Sequence, residues 1–320
     1  MNIAIGRALL RRKTDFAGAH GLEGGYRADS EYRVEEQARV SAAGNIVRGI
    51  DHLIVMVGDL DRSERTWREL GFHTTPRGFH QSGGTANHLI MLDQTYIELL
   101  GLAEASADSP YRQTMLENPG LAGLALRGSA AATYEYWLAQ GLKPAPPEGL
   151  ARGVEIAGRP EVARFGLTKL PGSSELPFLL FCCDQLTPQF VWQADAPPHP
   201  NGARNLRELV IVVDDAQAPS SFGRVTGRSI ATGADEASLA LGESRVTFLS
   251  PAAFLRRFGS DAGFRIGKRP VLAAVVLGST DMARARRFGS DAGFRVRDTS
   301  SGGFAVHVPP EGVVIEWTPA

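Results

Sequence analysis

Residues 49–72 read GIDHLIVMVGDLDRSERTWRELGF. The first part is apolar at positions belonging to both faces of a strand, which is typical of a strand covered on each side. Asp59-Leu60-Asp61 then predicts the start of a helix, because aspartate caps free backbone amides and suits the positive end of the helix dipole. Gly71 is placed to end that helix. The segment predicts a buried strand, a helix and a corner, and leaves His52 to be explained.

The same order of elements recurs along the chain. After the first helix, three further strands are predicted near residues 72–75, 87–92 and 96–100, which completes a βαβββ module of about 50 residues. Similar series begin near residues 121, 206 and 271. The sequence therefore predicts four modules of one kind.

A proline-rich segment, QADAPPHPNGA at residues 193–203, falls between the second and third modules. We therefore predict two domains, 49–192 and 205–320, joined by a linker at 193–204, with the second pair of modules degenerate. Residues 1–45 carry scattered charges and little periodicity, and we expect them to form a disordered tail.

Composition excludes several classes of protein. The chain has 34 basic and 35 acidic side chains among 320 residues, so it lacks the basic excess that nucleic-acid binding requires. No apolar run reaches the roughly 18 residues of a membrane span. The only cysteines are the adjacent Cys182 and Cys183, which do not form a disulfide framework. We expect a cytoplasmic protein that contacts neither nucleic acid nor membrane.

Several of these features together resemble the vicinal-oxygen-chelate superfamily, which includes glyoxalases, bleomycin-resistance proteins and extradiol dioxygenases. They are the histidine on the first strand, the Asp-Leu helix start, the Gly-Phe corner and ELLG at 98–101. GGTANHLIMLDQTYIELLG (83–101), LPFLL (176–180) and HPNGA (199–203) are similar to its glyoxalase-like domain branch. The resemblance covers residues 49–318. It implies an α+β fold in which four βαβββ modules pair into two curled mixed β-sheet cups with helices outside.

The resemblance also implies metal ligands on the first and fourth strands of a module, where His52 and Glu98 stand. Side chains alternate along a strand, so Ile50, His52 and Met56 are expected on one face. A buried carboxylate without a partner costs several kcal/mol. Glu98 therefore needs a cation, an arginine or His52 itself.

A third ligand would complete a metal site, and His88 or His80 could supply it. Such a set suits zinc, nickel, iron or manganese. Asn87, Met56 and Tyr96 are expected to line the substrate pocket beside it. Two alternatives remain open: a metal-free His52–Glu98 hydrogen bond beside an organic ligand, and a satisfied pair in an inert core.

The second pair of modules has carboxylates instead, with Glu208 at the position of His52 and Glu316 at that of Glu98. Two carboxylates could hold a hard cation, but the sequence favours a solvated rim for Glu208. The decamer RRFGSDAGFR occurs at 256–265 and again at 286–295. We interpret the earlier copy as a local duplication in a connecting segment, without a role in function.

The resemblance, with His52 and Glu98 at its ligand positions, implies a divalent-metal-dependent isomerase or lyase that acts on a small molecule with vicinal oxygens, with Glu98 moving the proton. A dioxygenase is less favoured because the second histidine of that site type is absent. The alternative is a protein that binds or sequesters a small molecule without chemistry, as bleomycin-resistance proteins do. The expected partner is a small molecule, and a homodimer is compatible with the sequence.

Overall fold

A computed structural model describes residues 46–320, apart from 81–83, 106, 157, 194–195, 261–269 and 310. The tail predicted for residues 1–45 lies outside the described residues. Within the described part, sixteen strands form two eight-stranded sheets, accompanied by six α-helices. No helix of this part combines the length and apolar composition that crossing a membrane requires.

The first sheet has the strand order β2-β3-β4-β1-β5-β8-β7-β6. Its strands are β1 (Val47–Met56), β2 (Gly78–Phe79), β3 (Thr85–Met91), β4 (Tyr96–Leu102), β5 (Gly120–Gly128), β6 (Glu148–Ile156), β7 (Arg159–Leu170) and β8 (Leu179–Gln185). Its helices are α1 (Leu60–Glu69), α2 (Arg112–Glu117) and α3 (Ala130–Ala139), and a 3₁₀ turn follows at Pro188–Phe190.

The second sheet repeats this order as β10-β11-β12-β9-β13-β16-β15-β14. Its strands are β9 (Ala203–Val212), β10 (Ala231–Thr232), β11 (Glu236–Leu241), β12 (Ser244–Leu249), β13 (Val271–Ser279), β14 (Arg297–Asp298), β15 (Phe304–Val308) and β16 (Val313–Pro319). Its helices are α4 (Gln217–Thr226), α5 (Pro251–Phe258) and α6 (Met282–Asp291).

Each sheet joins two βαβββ modules through their first strands. β1 pairs with β4 in parallel and with β5 antiparallel, and β9 pairs in the same way with β12 and β13. The predicted α+β fold of four modules paired into two mixed sheets is confirmed. The helix start is also confirmed, since Asp59 Oδ1 accepts a hydrogen bond from the Arg62 amide at 2.9 Å.

The strand predicted near residues 72–75 is wrong. Only the Thr75 amide bonds to β3, donating to the Leu89 carbonyl at 2.9 Å. Pro76 follows and has no amide to donate, so pairing cannot continue through it. The strand β2 therefore begins later, at Gly78.

One apolar core is shared by the two halves of the chain. It contains Trp67 and Trp137 from the first half and Phe222 and Trp317 from the second. The buried Trp137 indole in α3 donates a hydrogen bond to the Val225 carbonyl in α4 at 2.9 Å. The inner face of each sheet carries a separate apolar cluster, and these two inner faces form the cups.

Candidate functional site

The inner face of the first sheet surrounds a cavity of about 360 Å³. Most lining side chains come from strands of both modules, and Pro110 and Tyr111 come from the segment that leads into α2. The polar or charged residues among them are His52, His80, Thr85, Asn87, Tyr96, Glu98, Tyr111, Glu148, Arg152 and Lys169. The first cup is therefore an apolar cavity with a polar cluster on the β1, β3 and β4 side.

A β-bulge in β1 places two adjacent polar side chains together. The pairing of β1 with β5 skips from Ile50 to His52, which leaves Asp51 as the extra residue. Asp51 is completely buried, and its Oδ1 lies 2.7 Å from His52 Nδ1. Regular alternation would place these neighbours on opposite faces, so the bulge makes the contact possible.

The same bulge corrects one expectation about β1. Ile50 was expected on the face of His52 and Met56, but it packs in the outer core shared by the two halves. The extra residue shifts the alternation, so positions on either side of Asp51 no longer follow one face.

Asp51 determines the protonation of the His52 ring. An ionised carboxylate can only accept hydrogen bonds, so Nδ1 of His52 donates in this contact, and Nε2 is the ring nitrogen directed toward Glu98. Gln185 Nε2 donates to the same Asp51 oxygen at 2.9 Å, and Arg127 Nε lies 3.5 Å from the other. The Tyr96 ring stacks on His52 with centroids 4.4 Å apart. The imidazole is thus fixed in both orientation and tautomer.

Glu98 lies opposite His52 within the same cavity. Its Oε2 is 3.8 Å from His52 Nε2, and its Oε1 is 3.6 Å from His80 Nε2. Asn87 Nδ2 donates a hydrogen bond to Oε1 at 2.6 Å. Three polar side chains, from β1, β3 and the segment after β2, therefore converge around one carboxylate on β4.

Two of the expected site residues lie elsewhere. His88 follows Asn87 on β3 and points to the other face, where its Nδ1 lies 2.8 Å from the Thr75 carbonyl oxygen. His80 takes the place in the cluster that His88 could have filled. Met56 packs in the inner apolar cluster with Leu89 but is not among the residues that line the cavity.

The opposite wall of the cavity comes from the second module and is mainly apolar. Phe165, Leu167, Leu179, Phe181 and Cys183 form it. Burial, followed by the negative charge of Asp51, raises the pKa of the Cys183 thiol, so this cysteine is uncharged at neutral pH.

Asp51, His52 and Cys183 bring three metal-ligand atoms within 4.8 Å of one another. The protonated thiol and the existing Asp51–His52 hydrogen bond both oppose metal binding by this group.

Sequence reasoning missed Asp51 and Arg152. Asp51 sits beside His52 in the sequence, and this Asp-His pair in an apolar strand was the available signal. Arg152 belongs to β6, whose neighbouring positions are largely exposed, so the sequence gives no sign that its side chain is buried in the cavity.

The second cup differs because a helix of the chain fills it. Phe254 and Phe258 of α5 pack against the inner strands of this sheet. Arg257 of the same helix donates to both oxygens of Glu208, at 3.0 and 2.8 Å, and to Oε2 of Glu316 at 2.6 and 3.1 Å. A guanidinium thus holds the two carboxylates that could have bound a cation, and Glu208 lies within the ion pair and not at a solvated rim.

Comparison with known proteins identifies one matching family and several solved structures with a similar fold. Residues 50–224, more than half of the chain, match the family described as "Glyoxalase-like domain". No curated protein sequence matches the chain significantly.

Among solved structures, a hypothetical protein from Staphylococcus aureus superposes with a TM-score of 0.59 at 13% identity, over 85% of this chain and 99% of that one. A mutant 4-hydroxymandelate synthase from Streptomyces coelicolor gives 0.56 at 12% identity, over 85% and 92%. A xylose isomerase-like TIM barrel/4-hydroxyphenylpyruvate dioxygenase fusion protein gives 0.56 at 13%, over 92% of this chain and 53% of that one. At these identities, the superpositions establish the fold alone.

Proposed function

This chain belongs to the glyoxalase-like domain family of the vicinal-oxygen-chelate superfamily, and from that premise we propose that its first cup binds a divalent metal ion and acts on a small molecule with vicinal oxygens. The reaction class we propose is that of an isomerase or lyase. His52 and Glu98 are the proposed ligands, and His80 is the third.

One observation carries this proposal: Asp51 contacts Nδ1 of His52 and so directs Nε2 toward Glu98. Metal-binding histidines commonly donate their other ring N–H to a carboxylate, which fixes the tautomer and raises the basicity of the ligand. The contact of 2.7 Å between Asp51 and His52 Nδ1 is of this kind. A histidine that served only to fill the core would not need a buried carboxylate to orient it.

The distances between donor atoms suit an ion. Two atoms about 2.1 Å from one metal at a tetrahedral angle lie roughly 3.4 Å apart. His52 Nε2 and Glu98 Oε2 are 3.8 Å apart, so a few tenths of an ångström separate them from that arrangement. His80 faces the other oxygen of Glu98 at 3.6 Å and would have to turn to share the same ion.

When bound, the ion would act as a Lewis acid toward the oxygens of the substrate. Glu98 would accept and return a proton at the neighbouring substrate carbon, which is general acid–base catalysis by a carboxylate. Asn87 holds one oxygen of Glu98, so the other oxygen is left for the proton or the ion. The apolar wall around Phe181 and Leu167 would exclude water from the bound substrate.

The position of His80 in the cluster also bears on the dioxygenase alternative. The sequence argument against a dioxygenase assumed that a second histidine was absent, whereas His52, His80 and Glu98 together are two histidines and one carboxylate. Open sites with that donor set bind iron(II) in oxygenases. The identity of the bound metal therefore bears on the reaction class.

A second candidate function is small-molecule binding without chemistry. The hydrogen bond from Asn87 to Glu98 favours it, because this bond satisfies part of the buried carboxylate in the absence of any ion. The largely apolar cavity would then hold an organic ligand, with the polar cluster giving specificity.

Elemental analysis of the purified full-length protein separates these functions. We expect one equivalent of a transition metal in the wild type, and loss of that metal in His52→Ala and Glu98→Gln. His73→Ala is the matched control, because His73 is an exposed histidine outside the cavity, and this variant should keep its metal. A wild-type protein that stays metal-free after incubation with zinc, nickel, iron(II) and manganese would refute the metal-dependent function and favour the binding protein.

A further inference from the structure

We propose that the ligand of the first cup carries a carboxylate, which Arg152 binds, and an apolar body that packs against the opposite wall. This inference names the substrate class of the proposed function and rests on that proposal for the location of the site. It depends on the surroundings of Arg152.

Arg152 is a buried cation without an anionic partner. Its side chain enters the cavity from β6, and the residue is 8% exposed. Nη1 donates to Asn87 Oδ1 at 3.4 Å. Among the described residues, no carboxylate forms an ion pair with Arg152, and the contact found for its guanidinium is with a neutral amide oxygen. A buried charge in this condition is costly unless something else supplies the counter-charge.

The second cup also contains an arginine, but there the chain itself supplies the carboxylates that pair with it. Arg257 occupies that cup, and N–H groups of its planar guanidinium donate to carboxylate oxygens of both Glu208 and Glu316. The first cup offers Arg152 only a neutral amide. The chain therefore supplies the carboxylates for one arginine and leaves the other to be paired by a molecule that enters the cavity.

The charged residues near Arg152 do not provide the anionic partner that it lacks. Glu98 is separated from Arg152 by Asn87, which accepts from the arginine through Oδ1 and donates to the glutamate through Nδ2. Lys169 already pairs with Glu148, and both side chains are about half exposed at the cavity wall. An ion held by Glu98 would add more positive charge, which increases the preference for an anionic ligand.

A carboxylate suits Arg152 because the planar guanidinium presents parallel N–H groups that match two carboxylate oxygens. The remaining wall is formed by Phe165, Leu167, Leu179 and Phe181, which suits an apolar or aromatic body. The cavity volume of about 360 Å³ falls within the range of small-molecule sites. Vicinal oxygens, one of them on a carboxylate, would reach both Arg152 and the polar cluster.

Gly78 on β2 leaves room for this arrangement. A Cβ atom at position 78 would lie 2.5 Å from Asn87 Oδ1 and 2.9 Å from Arg152 Nη1. Any side chain here would displace the two polar groups. The absence of one keeps Asn87 and Arg152 in contact and open to the cavity.

The test uses two probes that differ in charge and keep the same pair of vicinal oxygens: benzoylformate and its methyl ester. Titration calorimetry with the full-length wild type should show at least tenfold tighter binding of the anion than of the ester. Arg152→Gln should abolish this preference, and Arg152→Lys should keep part of it. Arg164→Gln, at an exposed position on the adjacent strand β7, should leave the preference unchanged. Thermal unfolding identifies any variant that has lost its fold.

Equal binding of anion and ester by the wild type would overturn the inference, as would a preference that persists in folded Arg152→Gln, or a wild type that binds neither probe at millimolar concentration. Failure of the proposed function gives a different result. Protein without metal that still prefers the anion through Arg152 would refute the metal site alone, whereas metal-loaded protein with no preference would refute the carboxylate site alone.

Discussion

Asp51 orients His52, although it does not line the cavity itself. The carboxylate is fully buried and accepts hydrogen bonds from His52 and Gln185. Its contact with Nδ1 of His52 directs Nε2 toward Glu98. A change at Asp51 should therefore act on the site through His52.

We predict that Asp51→Asn weakens metal binding by about 10–100-fold, the usual effect of removing an outer partner of a histidine ligand. The amide can donate to Nδ1 of His52, which moves the ring proton to Nε2 and blocks the lone pair. Competition with a chelator measures the affinity, and Asp93→Asn serves as a control because Asp93 forms only an exposed ion pair with Arg204. Wild-type affinity in folded Asp51→Asn would show that the tautomer does not matter.

Individual site residues were predictable to the extent that strand alternation holds. His52, Tyr96 and Glu98 do face the cavity, because β4 is regular and β1 is regular after its bulge. Asp51 was missed because a bulge cannot be read from an apolar pattern. Arg152 was missed because it is buried against the first module, which is distant in sequence, so the residues next to Arg152 do not indicate its burial.

At the scale of elements, α2 and α5 occupy equivalent places, since each connects the two modules of its sheet. α2 has six residues and leaves the first cavity open, with Tyr111 just before it on the wall. α5 has eight residues and inserts Phe254, Arg257 and Phe258 into the second cup. The connecting helix therefore fills the second cup and leaves the cavity of the first cup open.

The repeated decamer shows why local sequence did not predict this difference. Arg256, Arg257 and Phe258 end α5, and Gly259 follows at φ +92°, whereas the identical residues 286–288 lie inside α6 and Gly289 continues the helix. The surroundings of the two copies differ: at Gly259 the backbone lies so close to Arg297 that a Cβ atom there would collide with it. The expectation that the earlier copy is only a connection therefore overlooked the arginine that it places in the cup.

We predict that Arg257→Met destabilises the protein by about 3–5 kcal/mol, because it leaves Glu208 and Glu316 buried without their cation. Urea unfolding followed by circular dichroism measures the loss. Arg256→Met is the matched control on the same helix: its exposed pair with Asp235 should be worth less than about 1 kcal/mol. Equal effects of the two substitutions would contradict the role assigned to the buried pair.

The difference in unfolding free energy between the wild type and Arg257→Met should depend on pH. Burial alone would raise the pKa of Glu208, but hydrogen bonds and charge from Arg257 outweigh it and lower the pKa below its ordinary 4.5. The stabilisation is therefore complete above about 4.5 and is lost as the pH falls through the lower value of the folded state. The difference in unfolding free energy between wild type and Arg257→Met should narrow in that acidic range, because protonation of Glu208 removes its attraction to Arg257.

At the scale of the whole molecule, the segment predicted as a linker is tightly packed at its end. Asn201 is fully buried and donates to the Leu70 carbonyl of the first module at 2.8 Å. Its own carbonyl accepts from the Ser279 hydroxyl of the fourth module at 3.1 Å. His199 is also buried and accepts from the His73 amide through Nδ1. These contacts join the two pairs of modules at this point.

The family match fits this packing. It runs through residue 224 and therefore includes β9 and most of α4, which lie beyond the first sheet. α4 covers Trp137 of α3, so the matched region includes an element of the second half that packs against the first. Repeats in the sequence located the modules. The apolar residues of a helix such as α3 do not indicate which other element packs against them. The two domains, 49–192 and 205–320, remain a prediction about sequence units.

We predict that both sheets unfold in one cooperative step, because the core containing Trp137 and Trp317 is common to them. Native-state hydrogen exchange should give the same opening free energy for the amides of β1 and β9. Trp137→Phe removes the hydrogen bond to Val225 and some packing, so it should lower protection by about 1–3 kcal/mol equally in both sheets.

Tyr136→Phe is the control for that substitution, because its hydroxyl makes the corresponding bond to the Arg224 carbonyl at the exposed edge of the contact between α3 and α4. It should cost less than Trp137→Phe, since water can replace an exposed hydrogen bond. Loss of protection confined to the first sheet in Trp137→Phe would mean that the halves open separately. In that case the core between them would be an interface between two domains, and the boundary at 193–204 would be a boundary in stability as well as in sequence.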